Sequence, residues 1–233
     1  MFYYNKNLKI ATESGVSVNI ASAQDSIAHI YKHVGDYSKA IEMKKSALAF
    51  YTDLNDDRML ERVLYSLGHM YFDMGRFDES LKSFTKGLEL ARKTKFKDGI
   101  SSGCNRIGAI YYEIGDYNKA VEFIEKAIKL NGEIGRDLHK KVSMLELFAC
   151  YKNLNKEFDL QEIKELEKED FIENLDSRDT FLFYIVSGNE KHLKTAYELL
   201  IKSAENMKET HRNKYFEFPN SKRIIEEYNK VFE

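Results

Sequence analysis

Gly115-Asp116-Tyr117-Asn118-Lys119-Ala120-Val121-Glu122 is the third appearance of one phrase, and its recurrence decides how the chain folds. The first is Gly35-Asp36-Tyr37-Ser38-Lys39-Ala40-Ile41-Glu42. A looser copy, Gly75-Arg76-Phe77-Asp78-Glu79-Ser80-Leu81-Lys82, stands midway, which gives a 40-residue period without slippage. A fixed period in this range marks a solenoid, in which each unit buries its apolar face against its neighbours alone.

Each phrase is preceded by an apolar stripe spaced by three and four. Ile20, Ala23, Ile27, Ala28, Ile30 and Tyr31 precede the first. Leu60, Val63, Leu64, Leu67, Gly68 and Tyr71 precede the second, and Ile100, Cys104, Ile107, Gly108, Ile110 and Tyr111 the third. That spacing is one face of a helix. The glycine supplies the permissive backbone of a turn, and a second stripe (Tyr37, Ala40, Ile41, Ala47, Leu48 and Tyr51 in the first copy) comes after it. Each unit is therefore a helix pair, A then B, over about 18–56, 57–96 and 97–136.

At the edges the pattern loosens. A degenerate unit over 137–165 keeps Met144, Leu147, Phe148 and Tyr151 but has Asn155 in place of the turn glycine. Residues 1–14 match the second half of a unit, since Leu8, Ile10 and Ala11 fall two periods before Leu88, Leu90 and Ala91. A half-repeat start reads either as a terminal cap or as a segment of a longer polypeptide, and the apolar Phe2-Tyr3-Tyr4 favours the segment. Charge is dense over 156–170, which reads as a solvated helix end or linker. Another helix pair is expected from Arg178 to Val186 and from Glu190 to Met207, turning at Gly188-Asn189. A capping helix comes after Pro219. The domain reading is repeats over 1–165 and a helical pair with cap over 166–233.

Composition narrows the function classes. Lys and Arg (36) nearly cancel Asp and Glu (38), so no general charge draws the chain to nucleic acid or to an anionic membrane. No sufficiently long apolar run exists to span a bilayer, and the N-terminus lacks the charged and apolar regions of a signal peptide. The single proline suits long unbroken helices. Two cysteines, Cys104 and Cys150, make no disulfide framework or zinc ribbon and read as buried thiols of a cytoplasmic protein.

Position by position, the units resemble the tetratricopeptide repeat. Ala28, Gly68 and Gly108 stand at its small position 8, and Tyr31, Tyr71 and Tyr111 at its position 11. Ala40, Ser80 and Ala120 fill position 20; Ala47, Gly87 and Ala127 fill position 27. The 40-residue period is longer than the family's commonest one and is similar to repeats of bacterial signalling proteins and of eukaryotic polarity and motor adaptors. The resemblance implies an all-α fold, a right-handed superhelix of antiparallel helix pairs whose A helices line a concave groove. It implies a protein or peptide partner there and no cofactor.

Carried onto this chain, the groove-facing positions include Asp25, His29, Lys32, Arg62, Tyr65, His69, Phe72, Asp73, Asn105, Tyr112 and Glu113. In this register Tyr65, Phe72 and Tyr112 point away from the helix–helix core, and aromatics mixed with arginine are what binding hot spots use. A chaperone-type carboxylate clamp is excluded, because Asp25 and His29 stand where that clamp needs Lys and Asn. His29 and His33 lie four apart, with His69 one repeat on, yet no HExxH pattern or completing cysteine makes them a metal site. The basic run Arg92, Lys93, Lys95, Lys97 ends a B helix, where cations complement the helix dipole. No nucleophile elbow, P-loop or dinucleotide fingerprint appears, so no enzyme is expected.

Residues 212–225 also loosely resemble the segment that succeeds such repeats in bacterial multidomain regulators. The expectation is thus an interaction scaffold, a regulatory or sensor segment of a larger bacterial signalling protein. The alternative is a homodimer formed through the exposed N-terminal half-repeat.

Overall fold

The computed structural model describes residues 17–167 and 169–233. The described residues form thirteen helices and no strand, so the all-α expectation is met. Seven helices in succession are each 17 residues long: α1 (Ser17–His33), α2 (Tyr37–Asp53), α3 (Asp57–Asp73), α4 (Phe77–Lys93), α5 (Lys97–Glu113), α6 (Tyr117–Glu133) and α7 (Asp137–Asn153). Three residues separate each from the next. The 40-residue period is two passes of a 20-residue one.

The loops explain this regularity. Their middle residues all have positive φ: 78° at Gly35, 53° at Asn55, 72° at Gly75, 55° at Lys95, 83° at Gly115 and 69° at Gly135; Asn155, in the longer loop after α7, has 51°. That left-handed step turns the next two amides back onto the helix just ended. Gly35 N–H donates to the Lys32 carbonyl (3.0 Å) and Asp36 N–H to the Tyr31 carbonyl (2.8 Å). The same pair of bonds recurs at 55/56, 75/76, 115/116, 135/136 and 155/156. This is the Schellman closure, which satisfies the orphan carbonyls of a helix end. The third loop residue also begins the next helix. The carboxylates of Asp36, Asp56 and Asp116 accept from the amides of Lys39, Met59 and Lys119 at 3.1–3.2 Å, the N-cap bond. One residue thus ends one helix and caps the next, leaving no slack in the connection.

The chain divides into two compact units. Of the described residues, the first comprises 17–94 and 204–215 and contains α1–α4, with α1 packed on α2, α2 on α3, and α3 on α4. Its small residues are where side chains of the neighbouring helix enter. A methyl on Gly68 would stand 2.7 Å from the Phe84 ring, and one on Gly87 would stand 2.2 Å from the Tyr65 ring. Close helix approach requires those positions to be bare. Met207 is buried over the Gly35 turn, and His211, on α12 (Glu209–Phe216), donates through Nδ1 to the Val34 carbonyl at 3.0 Å.

The second unit comprises residues 95–203 and 216–233. It contains α5–α7, α8 (Leu160–Leu166), α9 (Glu169–Ile172), α10 (Ser177–Ser187), most of α11 (Glu190–Ala204), and α13 (Pro219–Phe232). Its core joins Tyr112, Ile124, Leu145, Phe148, Phe171 and Phe183. The helix pair expected near 178–207 is present as α10 and α11, turning at Gly188 with φ 72°, and Pro219 opens α13. The charged stretch 156–170 departs from the linker reading. α8 buries Ile163 and Leu166 while Glu162, Lys164 and Glu165 face solvent, an amphipathic turn that the charge run concealed. The half-repeat read in residues 1–14 lies outside the described residues.

Two substitutions test this packing and turn geometry. A methyl on Gly108 would meet Ile124 Cγ1 at 2.6 Å and the Ala120 carbonyl oxygen at 3.2 Å, and Ile124 is fully buried with nowhere to move. Gly108→Ala is expected to lower stability by about 1–2 kcal/mol, overpacking outweighing the gain in helix propensity. Lys95→Gly, which relieves a left-handed lysine, is expected to raise it by about 1 kcal/mol. Urea unfolding followed by circular dichroism reads both.

Candidate functional site

In the first unit the expected groove residues gather around two carboxylates. Asp25 on α1 faces Lys44 on α2 and Arg62 on α3. Lys44 is 1% exposed, and its ammonium donates to Asp25 Oδ1. Arg62 Nη2 donates to Asp25 Oδ2 at 3.3 Å, and Lys44 Nζ donates to His29 Nε2 at 3.4 Å. Two turns further along the face, Lys32 pairs with Asp73 at 2.9 Å and the Tyr37 hydroxyl donates to the same carboxylate at 3.2 Å. Removing one member of a buried pair such as Asp25–Lys44 costs about 3–5 kcal/mol, because the other charge is stranded. Surrounding atoms, and then Lys44, hold the His29 imidazole below its ordinary range, so it is neutral at pH 7 and accepts the lysine proton's hydrogen bond. Burial, and then Asp73, push the Tyr37 phenol far up, so it remains a donor.

Exposure sorts these residues. His29 and Arg62 face solvent, and Lys32, Tyr65, His69 and Asp73 are half-buried. Phe72 is 6% exposed and lies edge-on to Phe77, so the expected surface aromatic is a packing residue. Tyr65 lies over Gly87 with its ring 5.5 Å from Phe84, and His69 meets Phe84 edge-on at 5.1 Å. Asp25 is committed to Lys44 and Arg62.

In the second unit Tyr112 departs in the same way. It is 6% exposed and belongs to the core. Asn105 donates to Ser143 Oγ at 3.0 Å and to Glu146. Glu113 lies between Arg178 of α10 (3.6 Å) and Arg223 of α13 (3.0 Å). Arg178 also reaches Glu146 at 2.8 Å and Asp179 at 3.1 Å. Three carboxylates and two guanidiniums from α5, α7, α10 and α13 thus form one network, with its centre buried.

Lys44, Glu146, Arg178, Asp179 and Arg223 are absent from the sequence-derived groove. For Lys44 a signal existed: it falls on the buried stripe Ala40, Lys44, Ala47, Tyr51, where a charge demands a partner. The repeat tyrosines carry another recurring contact, a cation over the ring. Lys39 covers Tyr31, Arg76 covers Tyr71, Lys119 covers Tyr111 and Lys156 covers Tyr151, at 4.7–5.6 Å. In the basic run, Lys93 pairs with Asp57 at 2.6 Å and Lys97 with Glu133 at 3.2 Å. Cys104 is buried, and burial raises the Cys150 thiol to about 12. Among the described residues no three His, Cys, Asp or Glu are grouped to hold a metal ion, and no helix is long and apolar enough to cross a membrane.

Asp179 gives the second unit a pH dependence. Burial, with Asp176 adding to it and Arg178 opposing, raises its carboxyl from 3.8 to about 7. The folded state therefore holds this proton more tightly than the unfolded state does. The stability it contributes is present below 3.8 and lost as pH rises through about 7. Asp179→Asn should change melting temperature little at pH 4 and raise it progressively up to pH 8. A stability difference that shrinks with rising pH would reverse the assignment.

Residues 60–133 match the tetratricopeptide repeat profile. The chain is 29% identical over 136 residues to outer dynein arm-docking complex subunit 4 of Xenopus laevis, covering 58% of this chain and 25% of that protein. It is 27% identical over 103 residues to response regulator aspartate phosphatase J of Bacillus subtilis (strain 168), covering 44% and 27%. The chain thus spans no more than 27% of either relative. Among solved structures, the apo form of RapI superposes with a TM-score of 0.70 at 14% identity, covering 97% of this chain and 69% of that one. The tetratricopeptide repeat sensor protein of the STAND class from Pyrococcus horikoshii superposes with a TM-score of 0.63 at 16% identity, covering 99% and 35%. At such identities the likeness is one of fold. Residues 60–133 thus match the tetratricopeptide repeat in sequence, and the helix pairs match solved tetratricopeptide-repeat-like structures in fold.

Proposed function

We propose that the chain is an interaction scaffold that binds a protein or peptide on the A-helix face of its first unit, without catalysis. The observation that carries this reading is the arrangement around Asp25 and Asp73. The two carboxylates hold Lys32 and Arg62 in fixed positions, and Arg62 and His29 stay open to solvent. Side chains oriented in advance lose less entropy when a partner arrives. Arginine beside tyrosine, here Arg62 and Tyr65, is the composition of a binding hot spot. Against catalysis stand the burial of both thiols and the mutual neutralisation of the buried acids and bases.

Within this reading the chain acts as a sensor or regulatory segment of a signalling protein. That finer role is supported by the likeness to a response regulator phosphatase and to the sensor of a signal-transduction ATPase. The likeness to a dynein-arm docking subunit supports a scaffold equally well and does not favour bacterial signalling.

The test is capture from lysate of the source cell by the parent chain and by a His29→Ala/Arg62→Ala variant. Lys44 remains as the partner of Asp25, so the variant is expected to keep its helicity and to melt within a few degrees of the parent. A partner held by the parent and bound at least tenfold more weakly by the folded variant is the expected result. Equal retention would remove the site from this face.

A further inference from the structure

Resting on the scaffold reading, we infer that α13 occupies in cis a second binding site, on the second unit, and that this site takes an amphipathic helix carrying arginine in trans. α13 lies across side chains of α5, α10 and α11. Arg223 donates to Glu113 at 3.0 Å and lies over the Phe181 ring at 5.7 Å, with Tyr112 close by. Ile224, the next residue, is buried. One turn on, Glu227 accepts from the Tyr184 hydroxyl at 2.9 Å, and Tyr228 stacks on Tyr197 with centroids 3.9 Å apart. The contacts keep to one face of the helix, while Lys222, Glu226, Asn229 and Lys230 stay exposed. This is helix-in-groove recognition, read through one guanidinium, one apolar anchor and one aromatic.

Two observations make α13 a displaceable occupant. It buries only Ser221 and Ile224 of its 14 residues, whereas α10 buries seven of 11. A helix so lightly anchored draws on the low-stability end of a structure. The seat also survives its departure. Glu113 remains paired with Arg178, which Glu146 and Asp179 hold in place, so releasing Arg223 strands no buried carboxylate. What is uncovered is a preformed acidic and aromatic surface of Glu113, Phe181, Tyr184 and Tyr197. It selects a helix with arginine, an apolar residue at the next position, an acceptor four residues after the arginine and an aromatic five after it, as α13 itself presents.

The experiment uses the full chain and a fluorescein-labelled synthetic peptide of residues 218–233. Arg223→Glu sets a carboxylate against Glu113, and Ile224→Ser removes the anchor; either variant frees the seat. The peptide is expected to bind both variants at least tenfold more tightly than the parent, and a peptide carrying Arg223→Glu is expected to bind neither. In the parent, α13 amides are expected to exchange with deuterium at least a hundredfold faster than those of α10. Equal affinity for all three chains, α13 amides as slow as those of α10, or loss of repeat helicity in both variants would each overturn the inference, making α13 an integral cap. The residues tested in the first unit are separate. Partner capture that depends on His29 and Arg62 would therefore survive such a failure, leaving the scaffold reading intact.

Discussion

The left-handed residue at the centre of each three-residue loop is the constraint on which the helix stack depends. It lets one residue close a helix and cap the next, and Asp36, Asp56 and Asp116 do both. Because the connection has no spare residue, within each unit a 17-residue helix starts at a fixed phase relative to the one before. That phase delivers Gly68 to the Phe84 ring and Gly108 to the Ile124 side chain, which fill the space above them. A loop longer by one residue would rotate the following helix by about 100° and present a polar face to the core.

With the stack fixed, charge decides what its faces can do. Asp25 and Asp73 are held by cations on neighbouring helices, and the groups left over, His29 and Arg62, point outward in fixed positions. In the second unit the logic is inverted. Glu113, Glu146 and Asp179 surround Arg178, and the face that the A helices would offer is covered by α10 and α13. One set of repeat positions thus yields an open face in one unit and a filled one in the other.

Much of this was legible in the sequence, for physical reasons. Gly35, Gly75 and Gly115 announce their turns because glycine favours positive φ, and the small residues at 28, 40 and 47 recur because helices cross there. Asn55 and Lys95 adopt the same backbone without advertising it, so only half of the 20-residue period showed. Phe72 and Tyr112 were misplaced because a one-repeat register assigns faces from a helix pair alone; in the structure Tyr112 joins a core to which α8–α10 also contribute. The Arg178 network was out of reach. Its partners lie 32 residues apart for Glu146 and 110 apart for Arg223 and Glu113, spacings set by tertiary folding and by no local periodicity.

Amide hydrogen exchange at the loops, resolved residue by residue by NMR, asks whether the loop closures hold the stack together. The amides of Asp36, Asp56, Arg76, Asp116, Arg136 and Lys156 each donate back to the preceding helix. They are expected to be protected as strongly as the helical turn before them, in a pattern that recurs with the loops themselves. Free-peptide exchange at these six positions, with protection confined to helix interiors, would contradict that dependence.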